Sequence, residues 1–171
     1  LELNSLSKSH NMAGWRIGWV AGKKEYIEAV LRVKSNMDSG MFLGLPHAAV
    51  EALKNDASWF GELNEMYRKR RQVACLILEA LGCDYSNDQS GLFVWAKAPV
   101  HVFDVEKWID EILYGTKVFI TPGFIFGKAG RKYIRISLCA TVEKLNEALE
   151  RIKKFQPRQL RTQDSILNTI K

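Results

Sequence analysis

One long helical run does most to limit what this chain can fold into. Asn55-Asp56-Ala57-Ser58 carries the hydroxyl and carboxylate side chains that start helices, and apolar residues then recur at Leu63, Met66, Val73, Ile77 and Leu81. Gly82 follows where a left-handed residue closes a helix. A helix of this length separates the residues before it from those after it. After it, the pattern predicts a strand at Leu92–Ala96 and a helix capped by Asp104 that runs through Tyr114 to Gly115. A short strand at Val118–Ile120, a turn at Pro122-Gly123 and a strand at Tyr133–Leu138 come next. A last helix capped by Thr141 reaches about Phe155, with Leu145, Ala148, Leu149 and Ile152 on its apolar face. Strand, helix, strand, strand, helix is a compact α+β unit.

The residues before the long helix read differently. Residues 1–22 suggest loop, turn and one aromatic-rich strand, Trp15–Val20. Lys23 to about Lys34 has helical spacing. Ser35–Gly40 is a loop by composition, and Pro46 suits the first turn of a helix reaching about Lys54. The organisation expected is residues 1–57 as one incomplete domain, 58–155 as the long linking helix with a small α+β domain, and 156–171 as a polar tail.

Composition excludes several classes. With 47% hydrophobic and 26% charged residues, disorder over most of the chain is ruled out. At 171 residues the chain can hold one sizeable core, or a small domain plus a piece of another. No apolar run approaches the roughly 20 residues that span a bilayer, so no membrane partner is expected. The first residues lack both an initiator Met and the regions of a signal peptide, which suggests a chain starting inside a longer protein. Cys75, Cys83 and Cys139 form no disulfide framework. Cys75 and Cys139 read as small core residues, and the three together suit a reducing, cytoplasmic setting. The net charge of +6 is dispersed. Its densest run, Arg68-Lys69-Arg70-Arg71, falls on the long helix as a solvated face, so no nucleic-acid partner is expected. His10, His47 and His101 lack metal-ligand spacing.

The chemistry concentrates in Ser5-Leu6-Ser7-Lys8 and Gly14-Trp15-Arg16-Ile17-Gly18-Trp19, a lysine and an arginine eight residues apart across a Gly-containing loop. A phosphate-bearing aldehyde cofactor needs an amine to form a Schiff base. It also needs a cationic fork for its phosphate, hydroxyls to complete the grip, and glycines that let the backbone approach. These residue types meet that need. By chemistry alone, though, the commoner reading of a lysine between serines is a solvated loop residue, and of Trp15 and Trp19 is core aromatics.

The S-x-S-K and G-x-R-x-G-W patterns together resemble the fold-type I, class I/II aminotransferases that use pyridoxal phosphate. In that family the lysine is the Schiff-base residue, and the first serine and the arginine contact the cofactor phosphate. The resemblance thus implies Lys8 as catalytic residue, with Ser5, Ser7 and Arg16 around the phosphate. Phe119–Leu138, with Pro122-Gly123, Phe126-Gly127 and Tyr133-Ile134-Arg135-Ile136-Ser137, resembles the family's C-terminal signature and implies Arg135 as the binder of the substrate α-carboxylate. Ser90-Gly91-Leu92-Phe93 resembles a G-G-x-F stretch, with Ser90 in place of the first glycine.

The resemblance covers about residues 3–155. It implies an α/β protein of the pyridoxal-phosphate-dependent transferase fold: a remnant of the large domain plus the small α+β C-terminal domain. The implied activity is transfer of an amino group between an amino acid and a 2-oxo acid. Residues 36–42 would reach a neighbouring subunit in a homodimer. The family's partners for the pyridinium nitrogen, ring and phenolic oxygen lie before the lysine, so a chain starting here is expected to be a poor catalyst alone. A carbon–sulfur β-lyase on the same scaffold would share Lys8, Arg16 and Arg135. A non-catalytic sensor domain of a transcription regulator is the alternative outside enzymology.

Overall fold

The computed structural model describes residues 1–155; the polar tail expected at 156–171 lies outside them. The chain divides into two compact units, Leu1–Gly61 and Glu62 onward.

The first unit begins with an antiparallel ribbon, β1 (Glu2–Ser5) and β2 (Gly18–Ala21), in which Leu3 faces Val20 and Ser5 faces Gly18. The chain between them holds one helical turn, α1 (Leu6–Ser9), and a 3-10 turn at Ala13–Trp15. Leu6, Met12 and Ile17 are buried together, packed against Leu45, Ala48, Ala49 and Ala52 of α3 (Gly44–Ala52). α2 (Lys24–Met37) buries none of its residues. Three expectations are corrected here. The strand read at Trp15–Val20 starts only at Gly18, because Arg16 takes a left-handed conformation (φ 54°) that breaks the extended run. Trp15 and Trp19 are both exposed and are not core aromatics. The loop read from Ser35 begins at Asp38: Asn36 donates to the Arg32 carbonyl (2.6 Å) and Lys34 pairs with Asp38 (2.7 Å), which carries the helix to Met37.

α4 (Ala57–Ala80) starts where the sequence places it. Asp56 accepts the backbone N–H groups of Ser58 and Trp59, bonds that hold its carboxyl below the usual carboxylate range together with the Ser58 hydroxyl. Gly82 takes the left-handed conformation (φ 69°) expected beyond the helix.

The second unit is built on a three-stranded antiparallel sheet in the order β3–β5–β4: β3 (Phe93–Lys97), β5 (Tyr133–Ser137) and β4 (Thr121–Pro122). Val94 faces Ile136 and Ala96 faces Ile134, and these four side chains form the buried face. α4, α5 (Val105–Thr116) and α6 (Val142–Lys154) supply the rest of the core through Ile77, Leu78, Trp108, Ile112, Leu149 and Ile152. Strand pairing near Val118–Ile120 is displaced to Thr121–Pro122, where Thr121 faces Arg135. Gly115 does not end α5. It lies within the helix where the Phe155 ring leaves no room for a Cβ, and Lys117 (φ 60°) makes the left-handed close. Cys75 is only half-buried and Cys139 is exposed, so neither is the small core residue the sequence suggests. Among the described residues no helix is long and apolar enough to cross a membrane.

Candidate functional site

The ribbon explains how the two halves of the N-terminal motif come to one place. Register pairs Ser5 with Gly18, and the Leu6 N–H donates to the Ile17 carbonyl (3.3 Å), so the turn bearing Lys8 and the turn bearing Arg16 leave the same end of one hairpin. Gly18 is required by that pairing, since a Cβ there would lie 2.5 Å from the Asn4 carbonyl oxygen. Leu6, 1% exposed, pins α1 to the unit's core, while Lys8 two residues on faces solvent.

Lys8 lines an open depression of about 480 Å3 with Leu3, Asn4, Ser5 and Ser9. Among the described residues its Nζ makes no hydrogen bond or ion pair. The Ser5 oxygen accepts the Ser7 N–H (3.4 Å), which leaves the hydroxyl hydrogen free to donate outward. Ser7 and Arg16 do not line the depression. The Arg16 guanidinium gives one N–H to the Ala13 carbonyl (3.0 Å), and its remaining N–H groups are available to an anion. Its left-handed backbone is costly for a side chain with a Cβ, a strain that gathers at functional sites. His10 sets Nδ1 against the Ser9 hydroxyl (2.9 Å) and stacks its ring on Trp59. Sequence reasoning missed Asn4 and Ser9. The signal was present, because both are polar neighbours of residues it had named.

Arg135 belongs to the second unit, on the sheet face opposite the core. Its Cζ lies 4.0 Å from the ring centre of Phe93 and 4.1 Å from that of Phe126, over both ring faces. Strand pairing produces this: Arg135 faces Trp95, and Phe93 is the diagonal neighbour on the same face. Trp95 in turn meets Phe126 edge-on and stacks on Tyr133. The Arg135 Nε is shut off from solvent and has no hydrogen-bond acceptor among the described residues. A buried donor left open in this way costs free energy that an acceptor would relieve. Arg135 also lines a largely apolar cavity of about 250 Å3 with Thr121, Ser137 and Lys144. The sequence motifs include Phe93 and Phe126 but do not reveal that both serve the arginine, since that depends on strand register and on the 3-10 turn Gly123–Phe126.

The family model for aminotransferase class I and II matches residues 1–152. The chain belongs to the class I and II aminotransferase family. Among its curated relatives, the LL-diaminopimelate aminotransferase of Halothermothrix orenii is 38% identical over 153 residues, covering 90% of this chain and 39% of that protein. The enzyme of the same name from Oleidesulfovibrio alaskensis is 39% identical over 152 residues, covering 89% and 39%. Solved structures agree. Apo-BacF from Bacillus subtilis superposes with a TM-score of 0.81 at 34% identity, covering 92% of this chain and 40% of that one. The aromatic aminotransferase of Pyrococcus horikoshii gives 0.80 at 30%, covering 89% and 41%. The mixed helices and sheets of this chain are thus part of the α/β aminotransferase fold, and the chain spans 39% of the length of the first curated relatives it matches.

Proposed function

We propose that the chain is the C-terminal part of an aminotransferase that uses pyridoxal phosphate to pass an amino group between an amino acid and a 2-oxo acid. The observation that carries the reading is the hairpin end, where an unpartnered Lys8 amine, the Ser5 hydroxyl and the Arg16 turn leave one ribbon. These donors fit the cofactor: an amine for its aldehyde, a hydroxyl and a guanidinium for its phosphate. When bound, the cofactor supplies the electron sink for amino transfer. Lys8 would hold it through Nζ, and its amine would carry the proton taken from the substrate Cα. Ser5 and Arg16 would hold the cofactor phosphate, the hydroxyl as a single donor and the guanidinium as a planar fork, with Ser7 close by. Arg135 would orient the substrate α-carboxylate, a task its planar guanidinium suits.

In this reading residues 1–57 are the end of the large cofactor-binding domain, and 58–155 are the linking helix with the small domain. The enzyme is a cytoplasmic homodimer. Exposed Met37, Met41 and Phe42 support residues 36–42 as the segment that reaches the second subunit, and three free thiols suit a reducing compartment. The shared name of the relatives makes LL-diaminopimelate the first amino donor to assay.

The test is borohydride reduction of the chain incubated with pyridoxal phosphate, followed by peptide mass spectrometry. The expected result is reduced cofactor on Lys8 well above every other lysine, and loss of that label in Lys8→Arg. Even labelling across surface lysines would overturn the assignment.

A further inference from the structure

A guanidinium that is half-buried and short of acceptors has to be stabilised by something. Here the stabilising groups are π-faces, not carboxylates. Two phenyl rings, each about 4 Å from Cζ, attract the charge without accepting any of its in-plane N–H bonds. A carboxylate partner would do the opposite, neutralising the arginine and filling its donors. Among the described residues no acidic side chain pairs with Arg135, and its Nε remains open.

From this we infer that Phe93 and Phe126 are positioning residues for carboxylate recognition. They fix the plane of the Arg135 guanidinium from its faces and leave its in-plane N–H groups without protein acceptors, so that a carboxylate entering in that plane meets an oriented donor. The inference rests on the carboxylate role proposed for Arg135 and goes beyond it, because it assigns orientation of the arginine to two rings that touch no reacting atom. The rings come from separate elements. Phe93 is set by the register of β3 on β5, and Phe126 by the 3-10 turn after β4. Neither is a core residue: Phe93 is 36% exposed and Phe126 50%. Their contact with one cation is therefore not a by-product of burial in the core, and replacing either leaves the buried sheet face intact.

The experiment follows the Arg135 Nε–Hε resonance of the 15N-labelled chain, assigned by its loss in Arg135→Lys, through an acetate titration at constant ionic strength held with chloride. In the wild type we expect a slowly exchanging, ring-shifted Hε that moves saturably with acetate. Phe93→Leu and Phe126→Leu should each mobilise the side chain and weaken acetate binding roughly three- to tenfold, the size of one lost cation–π contact. Phe93→Tyr and Phe126→Tyr, which keep the ring face, should stay within about twofold of wild type. Phe103→Leu, an exposed ring elsewhere in the unit, should change nothing. Unchanged affinity and unchanged side-chain order in both leucine variants would overturn the inference, as would a wild-type resonance that acetate does not move. Neither readout involves Lys8 or the cofactor, so failure here is separable from failure of the borohydride trapping experiment.

Discussion

At the scale of single residues, environment sorts chemically identical groups into different behaviour. The three cysteines show it plainly. Burial pushes the Cys83 thiol up to about 12, since the apolar surroundings disfavour the thiolate, whereas Cys139 is exposed. Alkylation proceeds through the thiolate. At pH 8, Cys139 should therefore react with iodoacetamide well before Cys83, by at least about tenfold in initial rate, as followed by peptide mass spectrometry. Equal rates would mean that Cys83 is not held in that environment. The same sorting separates the lysines and arginines. Arg70 and Arg71 donate to the carbonyls of Leu138 and Gly91, and Arg68 and Lys69 are both paired with Glu65, so all four members of the basic run have protein partners. The Lys8 amine and the Arg135 Nε, by contrast, are left open. The residue types at all these positions are legible in the sequence. Which of them is left without a partner is not, because a partner such as the Leu138 carbonyl lies 68 positions away along the chain.

At the scale of elements, local signals served well where the chain closes on itself and poorly where a distant group intrudes. Asp56, Gly82, Asp104 and Thr141 act as the start and stop signals they resemble, since a cap and its target lie within a few residues. Gly115 was the misleading case. It resembles a helix terminator, yet its use is to admit the Phe155 ring from beyond α6. Gly61 sits in α4 with open space where a Cβ would go. The two glycines should respond oppositely to the same change. Gly115→Ala should cost about 1–3 kcal/mol by overpacking against Phe155. Gly61→Ala should stabilise by about 0.5–1 kcal/mol through helix propensity alone. Urea denaturation of both variants checks this, and a stabilised Gly115→Ala would refute the packing argument.

For the whole molecule, the decisive contrast is in how much each unit buries. Among the described residues, the first unit has three buried hydrophobic residues in its core, Leu6, Met12 and Ile17, while the core of the second has nineteen. Local opening costs less where less apolar surface is buried. Hydrogen exchange should accordingly be faster across β1, β2 and α2 than across β3, β5 and α6, by roughly a hundredfold or more, equivalent to about 3 kcal/mol of opening energy. Similar protection in the two units would contradict this. What the sequence by itself determined is the local part: the helices after Asp56, Asp104 and Thr141, the alternating strand at Tyr133–Ser137, and the motif residues Ser5, Lys8, Arg16 and Arg135, whose spacing along the chain is itself the signal. What only tertiary structure decided is non-local. It set the ribbon register that brings the Lys8 and Arg16 turns to one end, the two rings laid over Arg135, and the displacement of β4 to Thr121–Pro122. The physical reason is that propensity and capping act over a few residues. Strand register and side-chain partnership, in contrast, are settled by burial and charge compensation among groups that meet only once the chain has folded.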